Sequence, residues 1–246
     1  MARKCSASGR TAFSFPSVLR MRFTNRPVMA TNATAENEWR ARIERNLGQA
    51  TAARVRELFS EINPHLVGDK LFEKRWSAKR KDAAVLVPLI AREEGMRVIM
   101  TVRSSTMPSH AGQISFPGGK THPEDKDAVD TALREAHEEV NIPPEAVHVI
   151  GSLGVHKGGL GFSVTPVIGM VDPAAPLRPC PREVDEIFEI PLDFVADLAN
   201  HITEERTLEG VPYKMYAAPY GRYHIWGLTA GILRSFAETL QDEDAA

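Results

Sequence analysis

Between Asp127 and Val140 the apolar residues Val129, Ala132, Leu133, Ala136 and Val140 recur at steps of three and four. That spacing lines one face of an α-helix and predicts that the face packs on a sheet. The helix has a written end: Pro143 and Pro144 cannot continue it, and Asn141 tolerates the left-handed cap conformation. On its polar flank Glu135, Glu138 and Glu139 share about 100° of arc. Close like charges repel, raise one another's pKa and weaken an isolated helix. Three carboxylates so placed need either full solvation or a counter-cation.

Acidic runs on exposed helices are usually solvated faces. The residues just upstream turn the reading towards a cation. In Pro117-Gly118-Gly119-Lys120 the glycines let the backbone approach a phosphate or offer a carbonyl to a metal. Hard carboxylate oxygens on a rigid helix suit Mg²⁺ or Mn²⁺, which keep some of their waters and bridge to substrate phosphates.

The remainder of the chain supplies the sheet. Apolar runs at 83–90 and 97–102 flank a polar turn and predict a β-hairpin. Further strands are expected at Val147–Leu153, Val164–Val171, Glu186–Ile190, Tyr213–Ala217 and Arg222–Trp226, with a closing helix over Leu228–Leu240. Strands alternating with helices predict an α/β fold with a mixed sheet. From Glu36 to Ile62, Trp39, Ile43, Leu47, Val55, Leu58, Phe59 and Ile62 fall at helical spacing and predict two packed helices.

Residues 1–35 carry Arg3, Lys4, Arg10, Arg20, Arg22 and Arg26 and no acid. They read as a flexible basic leader: either a dispensable extension or an organellar transit segment. The expected organisation is thus a leader at 1–35, a helical extension at 36–78 and a main domain at 79–246 around one core. Several function classes are disfavoured. A formal net charge of −2 gives no basic field for nucleic acid. The longest apolar runs are too short to span a bilayer, so neither nucleic acid nor membrane is an expected partner. Two cysteines, Cys5 and Cys180, make no disulfide scaffold and fit a reducing compartment. The expected location is cytoplasmic, or mitochondrial if the leader is a transit segment. The sequence leaves a homodimer open.

The segment from Phe116 to Ile142 resembles the signature of the Nudix hydrolase family. That signature runs Gly, five residues, Glu, seven residues, then Arg-Glu-apolar-x-Glu-Glu-x-Gly-apolar. Here Gly119 is followed at the sixth position by Asp125 and then by Arg134-Glu135-Ala136-His137-Glu138-Glu139-Val140-Asn141-Ile142. Asp125 replaces Glu, the spacer is one residue longer, and Asn141 stands for Gly. Upstream, Thr101, Arg103, Ser104, Gly112, Ile114, Phe116, Pro117, Gly118 and Gly119 resemble the extra motif of the family's coenzyme A pyrophosphatase branch, although Pro108 stands where that branch often carries Arg. The likeness extends over residues 83–240.

The resemblance implies a Nudix-type α/β/α sandwich. It also implies metal-dependent hydrolysis of coenzyme A, and of acylated forms, to 3′,5′-ADP and 4′-phosphopantetheine. Glu135, Glu138, Glu139 and the Gly118 carbonyl would bind the metal, with Glu135 or the metal activating water. Arg134 would brace Asp125 or the helix acids within the catalytic group. Arg103, Gly112, Gly118, Gly119 and Lys120 would contact substrate. His110 and Lys157 are further cationic candidates for the 3′-phosphate of coenzyme A, and Glu183 or Glu186 would complete the metal site. The alternatives are a diphosphatase of other conjugates, such as NADH or ADP-ribose, and a non-catalytic sensing module.

Overall fold

The computed structural model describes residues 32–157 and 161–241; Cys5 and nearly all of the expected leader lie outside them. The last part of that leader is instead helical, since α1 spans Asn32–Asn46. It is followed by α2 (Ala52–Ile62) and α3 (Lys70–Ser77). The sheet region then runs β1 (Lys81–Arg92), β2 (Gly95–Arg103), β3 (Ile114–Ser115), β4 (Gly118–Lys120), α4 (Ala128–Val140), β5 (Val147–Ser152), β6 (His156–Lys157), β7 (Phe162–Val171) and β8 (Val184–Pro191). The chain closes with α5 (Leu192–Ala196), β9 (Ile202–Leu208), β10 (Val211–Tyr220), β11 (Tyr223–Trp226) and α6 (Gly227–Thr239).

β1 and β2 form the expected hairpin, turning between Arg92 and Gly95. β1 also pairs in parallel with β7 along ten residues, Lys81↔Phe162 to Ile90↔Val171. With strands on both sides it is buried on both faces and reads as a nearly continuous apolar run. The path of the main sheet is β3-β2-β1-β7-β5, with β4 on β1, β6 on β7 and β8 on β2; β9, β10 and β11 make a separate antiparallel sheet. Parallel and antiparallel pairs together make the main sheet mixed.

Strand alternation divides the core into two layers. Ala84, Leu86, Ile90, Ile99 and Val167 meet Ala132, Ala136 and Val140 of α4. Val87, Leu89, Val98, Met100 and Ile168 face the other way, towards Ile232, Leu233 and Phe236 of α6, Ile43 of α1 and Leu58 of α2. The result is the α/β/α sandwich with a mixed sheet. The two expected helices lie between residues 32 and 62 and share the main core. A third helix, α3, lies beyond the two read from the apolar spacing, within the stretch 36–78. Asp69 caps it by accepting from the Leu71 and Phe72 N–H groups, and Phe72 packs on Phe59 and Tyr213. Buried His156 ties β6 to α6, its Nε2 meeting Ser235 Oγ at 3.0 Å. Burial lowers its pKa to about 4, so it stays neutral near pH 7. No helix among the described residues is long and apolar enough to cross a membrane.

Ile43 is fully buried although it lies well before the sheet. Ile43→Ala should cost about 2–5 kcal/mol, as for other large-to-small core changes, within one cooperative urea transition. A variant as stable as the parent would show that α1 is dispensable to the core.

Candidate active site

α4 is held at both ends by its own sequence. Asp127 accepts from the Val129 and Asp130 N–H groups at the start. At the end Asn141 adopts φ 59° and ψ 36°, its N–H reaching back to the Ala136 and His137 carbonyls. With the apolar stripe on the sheet, the three glutamates come out on the flank nearest β4. They are unequally buried: the side chains of Glu139, Glu135 and Glu138 are 3%, 12% and 47% exposed.

The Pro-Gly-Gly-Lys segment is not a loop. Its last three residues form β4, with Gly118, Gly119 and Lys120 opposite Val85, Ala84 and Ala83. A Cβ on Gly118 would lie 2.5 Å from the Ala84 carbonyl oxygen, and one on Gly119 would lie 2.5 Å from the Glu135 carboxylate. The first glycine therefore permits the strand pairing and the second admits the helix acid. The Gly118 N–H donates to Glu139 Oε2 at 3.2 Å.

Arg134 connects the pieces. Its Nε and one terminal nitrogen donate to the two oxygens of Asp125, each at 2.9 Å. The same guanidinium reaches Glu135 Oε1 at 2.9 Å and the Lys120 carbonyl at 2.9 Å, and Glu138 at 3.6 Å. Asp125 also accepts from the His122 N–H and from Thr131 Oγ. Arg134, followed by those neighbours, holds its carboxyl well below the usual carboxylate range. The longer spacer thus still delivers an acid to Arg134. Thr131 is fully buried, and its only mark in the sequence is a hydroxyl on the side of α4 that faces inward.

Arg103 stands beside Glu139, with its guanidinium 3.6 Å from Oε1, a pairing that sequence separation concealed. Even so, burial outweighs Arg103 and the Gly118 N–H and raises the Glu139 pKa to about 8. Glu135 is raised for the same reason, against the pull of Arg134, and Glu183 adds to both shifts. Glu183 thus lies near enough for its charge to be felt by both carboxylates. Glu186 is engaged elsewhere, with Arg222 at 2.5 Å and the Tyr223 hydroxyl at 2.7 Å.

The segment between β2 and β3 is closed upon itself. Gly112, at φ 71°, donates to the Arg103 carbonyl, and Ser104 N–H donates to the Glu183 carbonyl. His110 is also left-handed, at φ 62°, and its Nδ1 meets Gln113 Oε1 at 2.7 Å. Lys157 is removed from the cluster, donating to the Trp76 carbonyl at 2.6 Å. Lys120 is exposed.

Among the described residues no three acidic, histidine or cysteine side chains are arranged to hold an ion as they stand. Glu135 and Glu138 turn to Arg134, and Glu139 turns to Arg103 and Gly118. The donor chemistry nevertheless fits a hard divalent cation. Carboxylates outnumber the two guanidiniums here, and two of them are buried with raised pKa, which a cation would reverse.

Residues 79–208 match the family model of the NUDIX domain. The uncharacterized Nudix hydrolase NudL of Photorhabdus laumondii is 41% identical over 168 residues, covering 68% of this chain and 89% of that protein. Its counterpart in Yersinia pestis is 41% identical over 163 residues, with 66% and 81% covered. The crystal structure of the M. smegmatis Nudix hydrolase RenU overlays with a TM-score of 0.44 at 20% identity, covering 65% of this chain and 84% of that one. The chain belongs to the Nudix hydrolase family. It is an enzyme class that acts on pyrophosphate bonds of nucleoside diphosphate derivatives and generally uses divalent metal ions.

The raised pKa of Glu139 has a signed consequence for stability. The fold favours its neutral form, so stability is lost as pH rises from the ordinary value of 4.5 through about 8. In EDTA, Glu139→Gln should therefore be more stable than the parent at pH 9, by on the order of 5 kcal/mol, with the gain gone at pH 4.5. Urea unfolding at the two pH values measures this; a gain equal at both would contradict the assignment of the cost to ionisation.

Proposed function

We propose that this Nudix hydrolase is a Mg²⁺- or Mn²⁺-dependent coenzyme A diphosphatase, releasing 3′,5′-ADP and 4′-phosphopantetheine. The observation that carries the reading is the course of the Thr101–Gly119 segment. It leaves β2 at Arg103 beside Glu139, closes on itself through Gly112, and enters β4 at Gly118, where the backbone meets the same carboxylate. A segment tied at both ends to the acid cluster is suited to contact whatever diphosphate lies there.

Glu135, Glu138 and Glu139 would hold the cation, with the Gly118 carbonyl as a further donor and Glu183 as the distal acid. Strand alternation turns the Gly118 and Lys120 backbone groups away from β1, as the Arg134 bond to the Lys120 carbonyl illustrates. When bound, the cation supplies positive charge against the diphosphate oxygens and eases deprotonation of water. Arg134 positions Glu135 through a short ion pair and is itself fixed by Asp125. Glu135, desolvated and of raised pKa, can accept a proton at its carboxylate oxygen as water attacks phosphorus. Arg103 offsets the buried charge of Glu139. Gly112 shapes the loop, Gly118 and Gly119 allow close approach of the diphosphate, and Lys120 offers an exposed cation to it.

Glu138→Gln and Glu139→Gln should each lower kcat about 100-fold or more while the fold persists, because each removes charge without removing volume. Near-parental turnover at saturating Mg²⁺ in either variant would refute the metal assignment. Chromatography of products from coenzyme A, dephospho-coenzyme A, NADH and ADP-ribose tests the substrate. Coenzyme A should give the highest kcat/KM; a higher value for NADH or ADP-ribose would sink the coenzyme A reading and leave pyrophosphate hydrolysis standing.

A further inference from the structure

The loop from Ser104 to Gln113 joins β2 to β3 and is mostly exposed. It carries His110 in the left-handed region at φ 62°, which residues with a Cβ disfavour, so the loop needs support from outside to keep one shape. Two bonds close it at its own root: the Arg103 N–H donates to the Gln113 carbonyl, and the Gly112 N–H donates to the Arg103 carbonyl. Among the described residues, its hydrogen bonds to any other element all end on two residues at the start of β8. The Ser104 N–H donates to the Glu183 carbonyl at 2.8 Å, and the Ser105 N–H donates to Asp185 Oδ2 at 2.8 Å. The Ser105 N–H, with the Ser104 and Ser105 hydroxyls behind it, holds the Asp185 carboxyl below its ordinary pKa.

An irregularity in the ladder places Asp185 for this contact. β2 and β8 pair Val102 with Glu186 and Arg103 with Val184, so Asp185 is the extra residue of a β-bulge. A bulge bends its strand and re-aims the side chain that it releases. Here the carboxylate turns to the root of the loop. The same stretch hangs from the acid helix. The Cys180 N–H donates to the Glu139 carbonyl at 2.8 Å, and the Glu183 and Val184 N–H groups donate back to the Cys180 carbonyl, each at 2.9 Å. Residues 180–185 thus run from the backbone of Glu139 to the root of the loop. Asp185 itself is exposed, and among the described residues it forms no ion pair and bonds only to this loop.

We propose that Asp185 is a positioning residue: it latches the Ser104–Gln113 loop to the turn that hangs from Glu139, so that the loop meets the substrate already ordered. This rests on the reading that the loop contacts the diphosphate substrate, and it does not require that substrate to be coenzyme A. A loop ordered beforehand costs less to immobilise when a ligand binds. Loss of the latch weakens substrate and transition-state binding alike, which raises KM and leaves kcat in place. Asparagine keeps a side-chain oxygen that can accept from Ser105, whereas alanine does not.

The experiment combines steady-state kinetics with amide hydrogen exchange on the full chain, for the parent, Asp185→Ala and Asp185→Asn. Kinetics are measured at saturating Mg²⁺ with coenzyme A, dephospho-coenzyme A, NADH and ADP-ribose. For whichever is turned over best, Asp185→Ala should raise KM about tenfold, the worth of one charge-assisted hydrogen bond, with kcat within about twofold of the parent. Asp185→Asn should stay within about threefold of the parent in KM. Exchange in peptides covering residues 104–113 should quicken about tenfold or more in Asp185→Ala and stay parental in α4. A parental KM in Asp185→Ala, an equal loss in Asp185→Asn, a loss confined to kcat, or unchanged exchange in the loop would overturn the proposal. Should NADH or ADP-ribose prove the best substrate while its KM rises in Asp185→Ala, the coenzyme A reading fails and the latch stands. Should coenzyme A be the best substrate while Asp185→Ala keeps the parental KM, the latch fails and the function stands.

Discussion

Three short residues of β4 lying against Ala83–Val85 set the geometry on which the site depends. β1 can serve as their template because it is itself fixed in register by β7 on one side and β2 on the other. Once β4 is paired, Gly118 presents its N–H to Glu139, Gly119 leaves room for Glu135, and Lys120 gives its carbonyl to Arg134. Each contact joins the sheet to α4. The carboxylates are thus positioned by backbone and by packing, with loop flexibility playing little part.

An element is legible in the sequence when the information that determines it is local. α4 was legible because its stripe, its proline stop and its Asn141 cap are local properties, and each acts within a few residues. The hairpin of β1 and β2 was legible for the same reason. Gly118–Lys120 was unreadable as a strand because glycine has no side chain to favour the extended form, and the pairing is imposed by β1 from a distance in sequence. α3 depends on Phe59 and Tyr213, neither of which its own eight residues reveal. β9 is largely exposed, so its sequence carries little apolar alternation, and its partner β10 supplies the order.

The acid cluster shows the same division. The spacing of Glu135, Glu138 and Glu139 announced a crowded flank, but their unequal burial is a property of the packed sheet. So is the pairing of Arg103 with Glu139 across 36 residues of chain. The different surroundings of Glu183 and Glu186 are also a property of the fold. Both lie in one short stretch of sequence, yet Glu183 adds its charge to that felt by Glu135 and Glu139, while Glu186 meets Arg222 and Tyr223.

The Arg103 pairing alters how cationic residues divide the proposed work. A buried carboxylate without a countercharge is costly, and removing its partner leaves that cost uncovered. Arg103 is only 22% exposed and directed at Glu139, so much of its charge is already committed there. His110 is engaged with Gln113, and Lys157 with Trp76. What stays open towards solvent is Lys120 on β4, together with Lys79 and Lys81 where the sheet begins.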